Sequence, residues 1–436
     1  MVHRIYYDGW NLALPRGTGI ATYSRVLIRL AREFGHDVGI LYSIPRSPAD
    51  DPLLREVAFF AAPRPPRPPT LGSEIEKYLD RVRALWPIRP APVEASGAVL
   101  RRAVEADPVT GCRLFASREV FRTAVGLFEM TGRFTTLAFA ERPDVFHFTF
   151  PTPVRAAGAR NVYTIHDLVP LRLPFASGDN KRTTYTLLKK IAADADHIVT
   201  VSESARRDIV EILGVSGDRV TNTYQAAMLP DGAAERPDGS IANELAALFG
   251  LEFGGYLLFY GALEPKKNVG RIIEAYFRSG VGMPLVLVTG GGWGNDVERA
   301  LLGEVEAHQA SRAAAGKPSV RRLDYVGAAA LAALIRGARA GIFPSLYEGF
   351  GLPVLECMTL GTPVVTSREG SLPEIAGDAA LLVDPYDVGA IATALRTIVN
   401  DGDLRAELSR RSRVQAEQFS LSRYRDRVKQ LYDRIL

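Results

Sequence analysis

The sequence predicts an α/β protein made of two doubly wound, mostly parallel sheets joined near residue 240. Three observations carry this. Short apolar runs alternate with helical ones along most of the chain, which is the pattern of βαβ units. A loop of Pro, Gly, Asp and Ser at 230–240 interrupts the alternation, which then restarts. The length of 436 residues exceeds one ordinary core, at about 150 residues per domain.

In chain order, strands are expected at Ile5-Tyr6-Tyr7 and from Val38 to Tyr42. Between them Ile20, Tyr23, Val26, Leu27, Leu30 and Phe34 recur at spacings of three and four, laying one helical stripe against a sheet. Further strands are expected at Val145–Phe148, Val162–Ile165 and His197–Val201. The stretch 43–140 is less regular: Pro63, Pro65, Pro66, Pro68 and Pro69 alternate with Arg64 and Arg67, and Pro87, Pro90 and Pro92 follow. It is read as an insertion carrying surface helices. Beyond 240, Tyr256–Tyr260 is a strand, and Asn268 is the expected N-cap of a helix reaching about residue 279. Leu285–Val288, Leu323–Val326, Gly341–Phe343, Pro363–Val365 and Leu381–Val383 continue the alternation. From Ser420, Tyr424, Val428, Leu431 and Ile435 share one side of a final helix. The division is 1–238, 239–418, and a terminal helix 419–436 that packs back on the first domain.

Composition excludes several classes. With 47% hydrophobic and 23% charged residues, the chain is not intrinsically disordered. Cys112 and Cys357 cannot form a disulfide scaffold or a zinc cluster, so a reduced, cytoplasmic setting is expected. No run of about eighteen apolar residues suggests a spanning helix, and the opening MVHRIYYDGWN does not resemble a signal peptide. Net charge is +4, and residues 1–140 hold 19 Lys and Arg against 14 Asp and Glu. That excess is too small for nucleic acid. It suits an anionic small ligand, a merely soluble surface, or contact with an anionic membrane.

Ligands of open parallel sheets bind beyond the carboxyl ends of the strands, so those exits are where chemistry is sought. After the first strand come Asp8-Gly9-Trp10 and then Arg16-Gly17-Thr18-Gly19-Ile20, where glycines bring backbone N–H groups close to a phosphate or sugar. The plain alternative is a tight strand–helix turn. His166 and Asp167 follow the strand Val162–Ile165, where His166 can donate to a sugar hydroxyl or a developing charge. His147 is assigned the matching place on the preceding strand. In the second half, Lys266 and Lys267 stand at a helix start, where the helix dipole opposes them unless an anion intervenes. Thr289 to Gly294 forms another such turn, read as structural.

Tyr347-Glu348-Gly349-Phe350-Gly351-Leu352-Pro353-Val354-Leu355-Glu356 is the strongest local feature. Pro353 suits a first helical turn, and the N–H groups of 350–352 would form an anion nest. A carboxylate beside such a nest suits sugar and ribose hydroxyls, so this reads as a pocket for a sugar carried on a diphosphate.

These residues resemble those of the family-four glycosyltransferases of the GT-B fold, whose two Rossmann-like domains face each other across a cleft. The motifs are G-x-L-E-P-K-K-N at 261–268 and E-G-F-G-L-P-x-x-E at 348–356. The resemblance implies that Lys267 holds the donor diphosphate. The family's accompanying Arg is Ala262 here, so one phosphate contact is either missing or supplied by Lys266. Glu348 is placed beside the donor sugar and Glu356 on the ribose. Gly349, Phe350, Gly351, Leu352, Tyr325 and Val326 complete the donor side, and Gly17, Thr18, Gly19, His166, Asp167 and His147 the acceptor side. Glu348, His166 and Lys267 are the expected catalytic residues. The run 164–171 is similar to bacterial mannosyltransferases that build surface polysaccharide.

The resemblance thus implies a hexosyltransferase acting with retention, using a nucleotide-diphosphate sugar, GDP-mannose first and UDP- or other sugars as the alternative. The acceptor is a glycan or lipid-linked hydroxyl; the location expected is cytoplasmic, with peripheral contact at the inner face of the cytoplasmic membrane suggested by the basic excess of residues 1–140. Neither cofactor nor metal is expected. Two other classes fit the pattern less well: a nicotinamide oxidoreductase, with Asp37 beyond Gly17, and a non-catalytic nucleotide-sugar binder. The first lacks the third glycine of its fingerprint, and its acid precedes the strand.

Overall fold

The computed structural model describes residues 1–13, 19–45, 49–61, 71–94, 96–97, 99, 111–290, 300, 302–303, 307, 319–324 and 326–436. Its first half contains β1 (Arg4–Asp8), β2 (Asp37–Ile44), β3 (Ala91–Val93), β4 (Arg113–Arg118), β5 (Thr135–Leu137), β6 (Val145–Phe148), β7 (Val154–Ala156), β8 (Arg160–Thr164), β9 (His197–Thr200) and β10 (Val220–Asn222). β5 and β7 pair with each other. The rest form one sheet in the order β10-β9-β8-β6-β1-β2-β4-β3, parallel except for β3 against β4. The second half holds β11 (Leu257–Tyr260), β12 (Leu285–Val288), β13 (Val320–Leu323), β14 (Ala340–Phe343), β15 (Val364–Ser367) and β16 (Leu381–Val383). They form an all-parallel sheet in the order β13-β12-β11-β14-β15-β16.

Every residue of β6, β9, β11, β12, β14 and β15 is buried. Parallel sheets are covered by helices on both faces, so such strands are near-continuous apolar runs, interrupted here by His147, His197, Thr200, Thr366 and Ser367. The helix Gly19–Glu33 buries Tyr23, Val26, Leu27 and Leu30. Ile20 and Phe34, at the ends of the same stripe, are half-buried. Strand order reverses between β1 and β6 in one sheet and between β11 and β14 in the other. Loops leaving such a pair diverge and open a crevice at the carboxyl ends.

The stretch 43–140 is more than an insertion with surface helices. β4 pairs with β2 from Gly39↔Arg113 to Ile44↔Arg118. The helix Val120–Thr131 buries Val120, Phe121, Ala124, Leu127 and Phe128. Arg113, Ser117 and Arg118 flank the three apolar residues of β4, which hides the strand in the sequence pattern. The five alternating prolines 63–69 lie outside the described residues.

The helix Leu421–Ile435 buries Tyr424, Val428, Leu431, Tyr432 and Ile435. Tyr432 Oη lies 2.5 Å from Tyr7 Oη of β1, and Arg160 of β8 donates to Ile435 O, so the chain's last helix rests on the first sheet. Among the described residues, no helix is long and apolar enough to cross a membrane.

Candidate active site

At the carboxyl end of β1, the buried Asp8 accepts through Oδ2 from Thr149 N and, at 2.9 Å, from Thr149 Oγ1. Burial raises its carboxyl to about 6 against the opposing effect of those bonds. Thr149 O accepts from His166 Nε2 at 2.9 Å. A carbonyl only accepts, so Nε2 carries the proton. Burial holds the His166 imidazole below its ordinary value despite that bond and the nearby Asp167. Burial thus favours the neutral ring, in which Nδ1 is an acceptor. The donation to a sugar hydroxyl expected of His166 cannot come from Nε2, which is already bound to Thr149 O.

His147 does not belong to this wall. It lies inside β6, fully buried, with Nε2 at 2.9 Å from Thr164 Oγ1 and Nδ1 at 3.0 Å from Tyr432 Oη. Burial lowers its imidazole to about 3. Both ring nitrogens are engaged, and the side chain ties the terminal helix to the sheet. The strand exit is two residues later, at Thr149.

Gly19 opens the first helix and faces the second domain: a Cβ placed there would sit 3.6 Å from Leu352 Cδ1. Gly17, Thr18 and Tyr325 lie outside the described residues. Val326 follows the edge strand β13 and is half-buried against the second core.

Beyond β11, Pro265–Lys267 makes a single 3-10 turn before the helix Val269–Ser279. Asn268 occupies the N-cap position with φ 64°, yet its side chain caps nothing. It is buried, and Nδ2 donates to Pro344 O at 2.9 Å and Pro385 O at 2.7 Å, fastening this turn to the exits of β14 and β16. Lys267 Nζ lies 2.6 Å from Glu348 Oε1, and Lys266 Nζ 4.0 Å from Glu348 Oε2. The conflict between two lysines and a helix start is thus settled within the chain, by Glu348. Burial would depress the Lys266 ammonium, but Glu348, Asp167 and Glu264 outweigh it and hold it above its usual value. Burial would likewise raise Glu348, but Lys267 and Lys266 keep it below the ordinary carboxyl range.

Ser371 Oγ donates to Glu348 O at 3.0 Å and Phe350 O at 2.7 Å. The adjoining Gly370 has φ 62°, and a Cβ there would stand 2.7 Å from Glu348 O. With those carbonyls drawn towards Ser371, the N–H groups of Gly349, Phe350, Gly351 and Leu352 donate to no group among the described residues. They head the helix Leu352–Thr359, as an anion nest requires. Glu356 stands one turn in. Tyr260 Oη donates to its Oε2 at 2.7 Å, and burial raises the carboxyl to about 7.

The two domains touch at this point. A Cβ on Gly349 would lie 2.8 Å from both Asp167 Oδ2 and His166 O, so only glycine permits the approach. Tyr347 Oη donates to Asp208 Oδ2, whose other oxygen accepts from Arg172 Nε at 2.9 Å. Glu374 accepts from Glu203 N at 2.7 Å and Ser204 N at 3.1 Å, placing a carboxylate from the second domain on the N-terminus of the first domain's helix Glu203–Leu213. Asp8, Thr149, Tyr260, Ser371 and Glu374 were not singled out by sequence. Asp8 carried a signal, an acid at a strand exit. Glu374 carried none, because its partners lie about 170 residues away.

Two sequence features find other uses. Asp37 begins β2, at the edge away from the cleft, and pairs with Arg4 at 3.8 Å and Arg113 at 3.4 Å. It cannot serve as the ribose acid of a nicotinamide site. An Asp-x-Asp metal motif is not expected, yet such triplets do occur, at 194–196 and 401–403. Asp196 precedes β9 and accepts from Asn161 N, and Asp401 caps the helix Gly402–Ala416. Neither is at the cleft.

Two mostly parallel, doubly wound sheets whose strand exits meet at Gly349 and Asp167, beside a lysine–glutamate pair, have the architecture of the GT-B glycosyltransferases. The chain belongs to that class by sequence as well: the family described as "Glycosyl transferases group 1" matches residues 253–415, and "Glycosyltransferase Family 4" matches residues 101–224. It is similar to the O-antigen chain mannosyltransferase B of Escherichia coli, 34% identical over 269 residues that span 60% of this chain and 67% of that protein. The serotype-specific mannosyltransferase WbdA of Escherichia coli is 29% identical over 288 residues, and the match spans 63% of this chain but only 33% of WbdA. Among solved structures, Anabaena Alr3699/HepE in complex with UDP and glucose superposes with a TM-score of 0.63, at 13% identity and over 99% of both chains.

Proposed function

We propose that the protein transfers a mannosyl residue from GDP-mannose, with retention, to a hydroxyl of a glycan or lipid-linked acceptor in surface-polysaccharide synthesis. Transfer takes place at the cytoplasmic face of the membrane. Mannose is favoured because the similar Escherichia coli proteins are mannosyltransferases by name. The observation that carries the reading is the convergence of Lys267, Lys266 and the free amides of 349–352 beside Glu348.

In this reading the donor diphosphate binds the amides and draws Lys267 from Glu348, which then faces the sugar. The bond from the anomeric carbon to the diphosphate oxygen breaks as the acceptor oxygen bonds to that carbon on the same face. The acceptor proton passes to the departing diphosphate, so no protein base is needed. Lys267, Lys266 and the amides stabilise the charge that develops on the leaving group. Glu348 offsets the positive charge at the anomeric centre, and Glu356 accepts from the ribose. His166 Nδ1 accepts from a sugar hydroxyl and holds it in register.

A thermal-shift series with GDP, UDP, ADP and their sugars tests this. A ligand at a hundred times its Kd stabilises by about 2.7 kcal/mol. Stabilisation by GDP and GDP-mannose is expected. A larger effect of UDP would replace the base, and no effect of any nucleotide would overturn the reading.

A further inference from the structure

Asp208 joins three segments that lie far apart in the chain. It sits on the helix Glu203–Leu213 and is 3% exposed. Its Oδ1 accepts from Arg172 Nε at 2.9 Å and from Arg172 Nη2, and its Oδ2 accepts from Tyr347 Oη. Arg172 ends the short helix Val169–Arg172, on the loop that leaves β8 with His166 and Asp167. Tyr347 immediately precedes Glu348, on the loop that leaves β14. One buried carboxylate thus holds both loops.

Three further contacts surround this junction. Val169, Leu173 and Ala176 of the first loop and Leu346 and Tyr347 of the second form a buried apolar cluster, separate from the cores around the sheets. The helix that carries Asp208 is fastened to the second domain again at its first turn, where Glu374 accepts from Glu203 N and Ser204 N. Leu346 N donates to Lys266 O at 2.7 Å. A displacement of Tyr347 is therefore passed to Glu348 on one side and, through Leu346, to Lys266 on the other.

The apolar cluster draws the loops together but does not fix how they meet, because hydrophobic contact is non-directional. Charge-assisted hydrogen bonds are short and directional. A buried carboxylate also costs heavily unless its oxygens are bonded, and here that requires both loops in place. We propose that Asp208 is a positioning residue, which holds the loop carrying His166 and Asp167 in register with the loop carrying Glu348. The consequence for catalysis rests on the proposed function; the junction itself does not.

Hydrogen exchange on the ligand-free full chain tests the junction directly. Asp208→Asn, and Tyr347→Phe, which removes one hydroxyl only, are each expected to speed exchange at least tenfold in both loops, 166–176 and 345–352, and to leave β11 and β12 unchanged. Steady-state kinetics test the consequence. Each variant is expected to lower transfer at least tenfold while the Kd for GDP stays within twofold. Slow hydrolysis of the donor by water, which needs no acceptor wall, should fall less than transfer. The double variant should be no worse than the weaker single one, because either change breaks the same link. Faster exchange in one loop only, or in neither, would overturn the proposal. So would wild-type turnover in both variants, equal loss of transfer and hydrolysis, or additive effects. Absence of any nucleotide binding by the wild type would overturn the proposed function instead, and exchange alone would then decide the junction.

Discussion

Lys267 Nζ stands 2.6 Å from Glu348 Oε1, so in the ligand-free protein the two charges assigned to opposite ends of the donor neutralise each other. Diphosphate binding then competes with Glu348 for the lysine. Glu348→Gln is expected to leave nucleoside diphosphate affinity undiminished, or several-fold tighter, because the competitor is gone. The same change should lower kcat on the order of a hundred- to a thousandfold through lost stabilisation of the anomeric charge. Calorimetric binding of the diphosphate beside steady-state kinetics separates the two effects. A large loss of diphosphate affinity would place Glu348 on the phosphates instead.

Glu356 is expected to act on binding alone, since ribose hydroxyls do not change during the reaction. Glu356→Ala should raise the donor KM and weaken the free diphosphate with little change in kcat.

The same carboxyl, held at about 7 by burial, links donor affinity to pH. In the proposed reading the ionised form accepts from ribose, so affinity for the nucleotide sugar should rise as pH increases through 7 and level off above it. The esterified diphosphate has no proton to lose in that range, so the titration belongs to the protein. Glu356→Gln should flatten the profile, and an unchanged profile would remove Glu356 from the ribose.

Gly349 tests closure apart from binding. Its hydrogen is all that fits against Asp167 Oδ2 and His166 O, each 2.8 Å from where a Cβ would stand. Gly349→Ala should hold the domains apart, lowering kcat at least tenfold while much of the diphosphate affinity, assigned in the proposed reading to the second domain, should survive. Wild-type kcat would mean that this contact is not needed for turnover.

Charge neutralisation is assigned to Lys267, Lys266 and backbone amides, so transfer is expected to survive excess EDTA. Loss of activity on chelation, restored by Mg²⁺ or Mn²⁺, would require a metal bridge to the diphosphate.

The alternation of strand and helix was legible because a parallel strand covered on both faces must be apolar throughout, as in Leu285–Val288. The motif at 348–356 was legible for a related reason. Glu348, the glycine turn and Glu356 lie within nine consecutive residues, and one loop–helix unit presents them together. The strand Arg113–Arg118 was hidden because three apolar residues between polar ends look like a loop segment until β2 pairs with them.

Sequence alone therefore determined most of the core strands, their alternation with helices and the close spacing of residues 348–356, all set by interactions within a few residues. Tertiary structure decided what each side chain meets. It buried His147 beneath Tyr432, 285 residues away, and set Glu374 on a helix of the other domain. It turned the Nε2 proton of His166 towards Thr149, and the apolar stripe of residues 71–83 towards solvent. Periodicity reports that a face is apolar or an acid is exposed at an exit. Only the packing of distant segments decides which surface covers that face, and so whether the group is core, catalyst or contact.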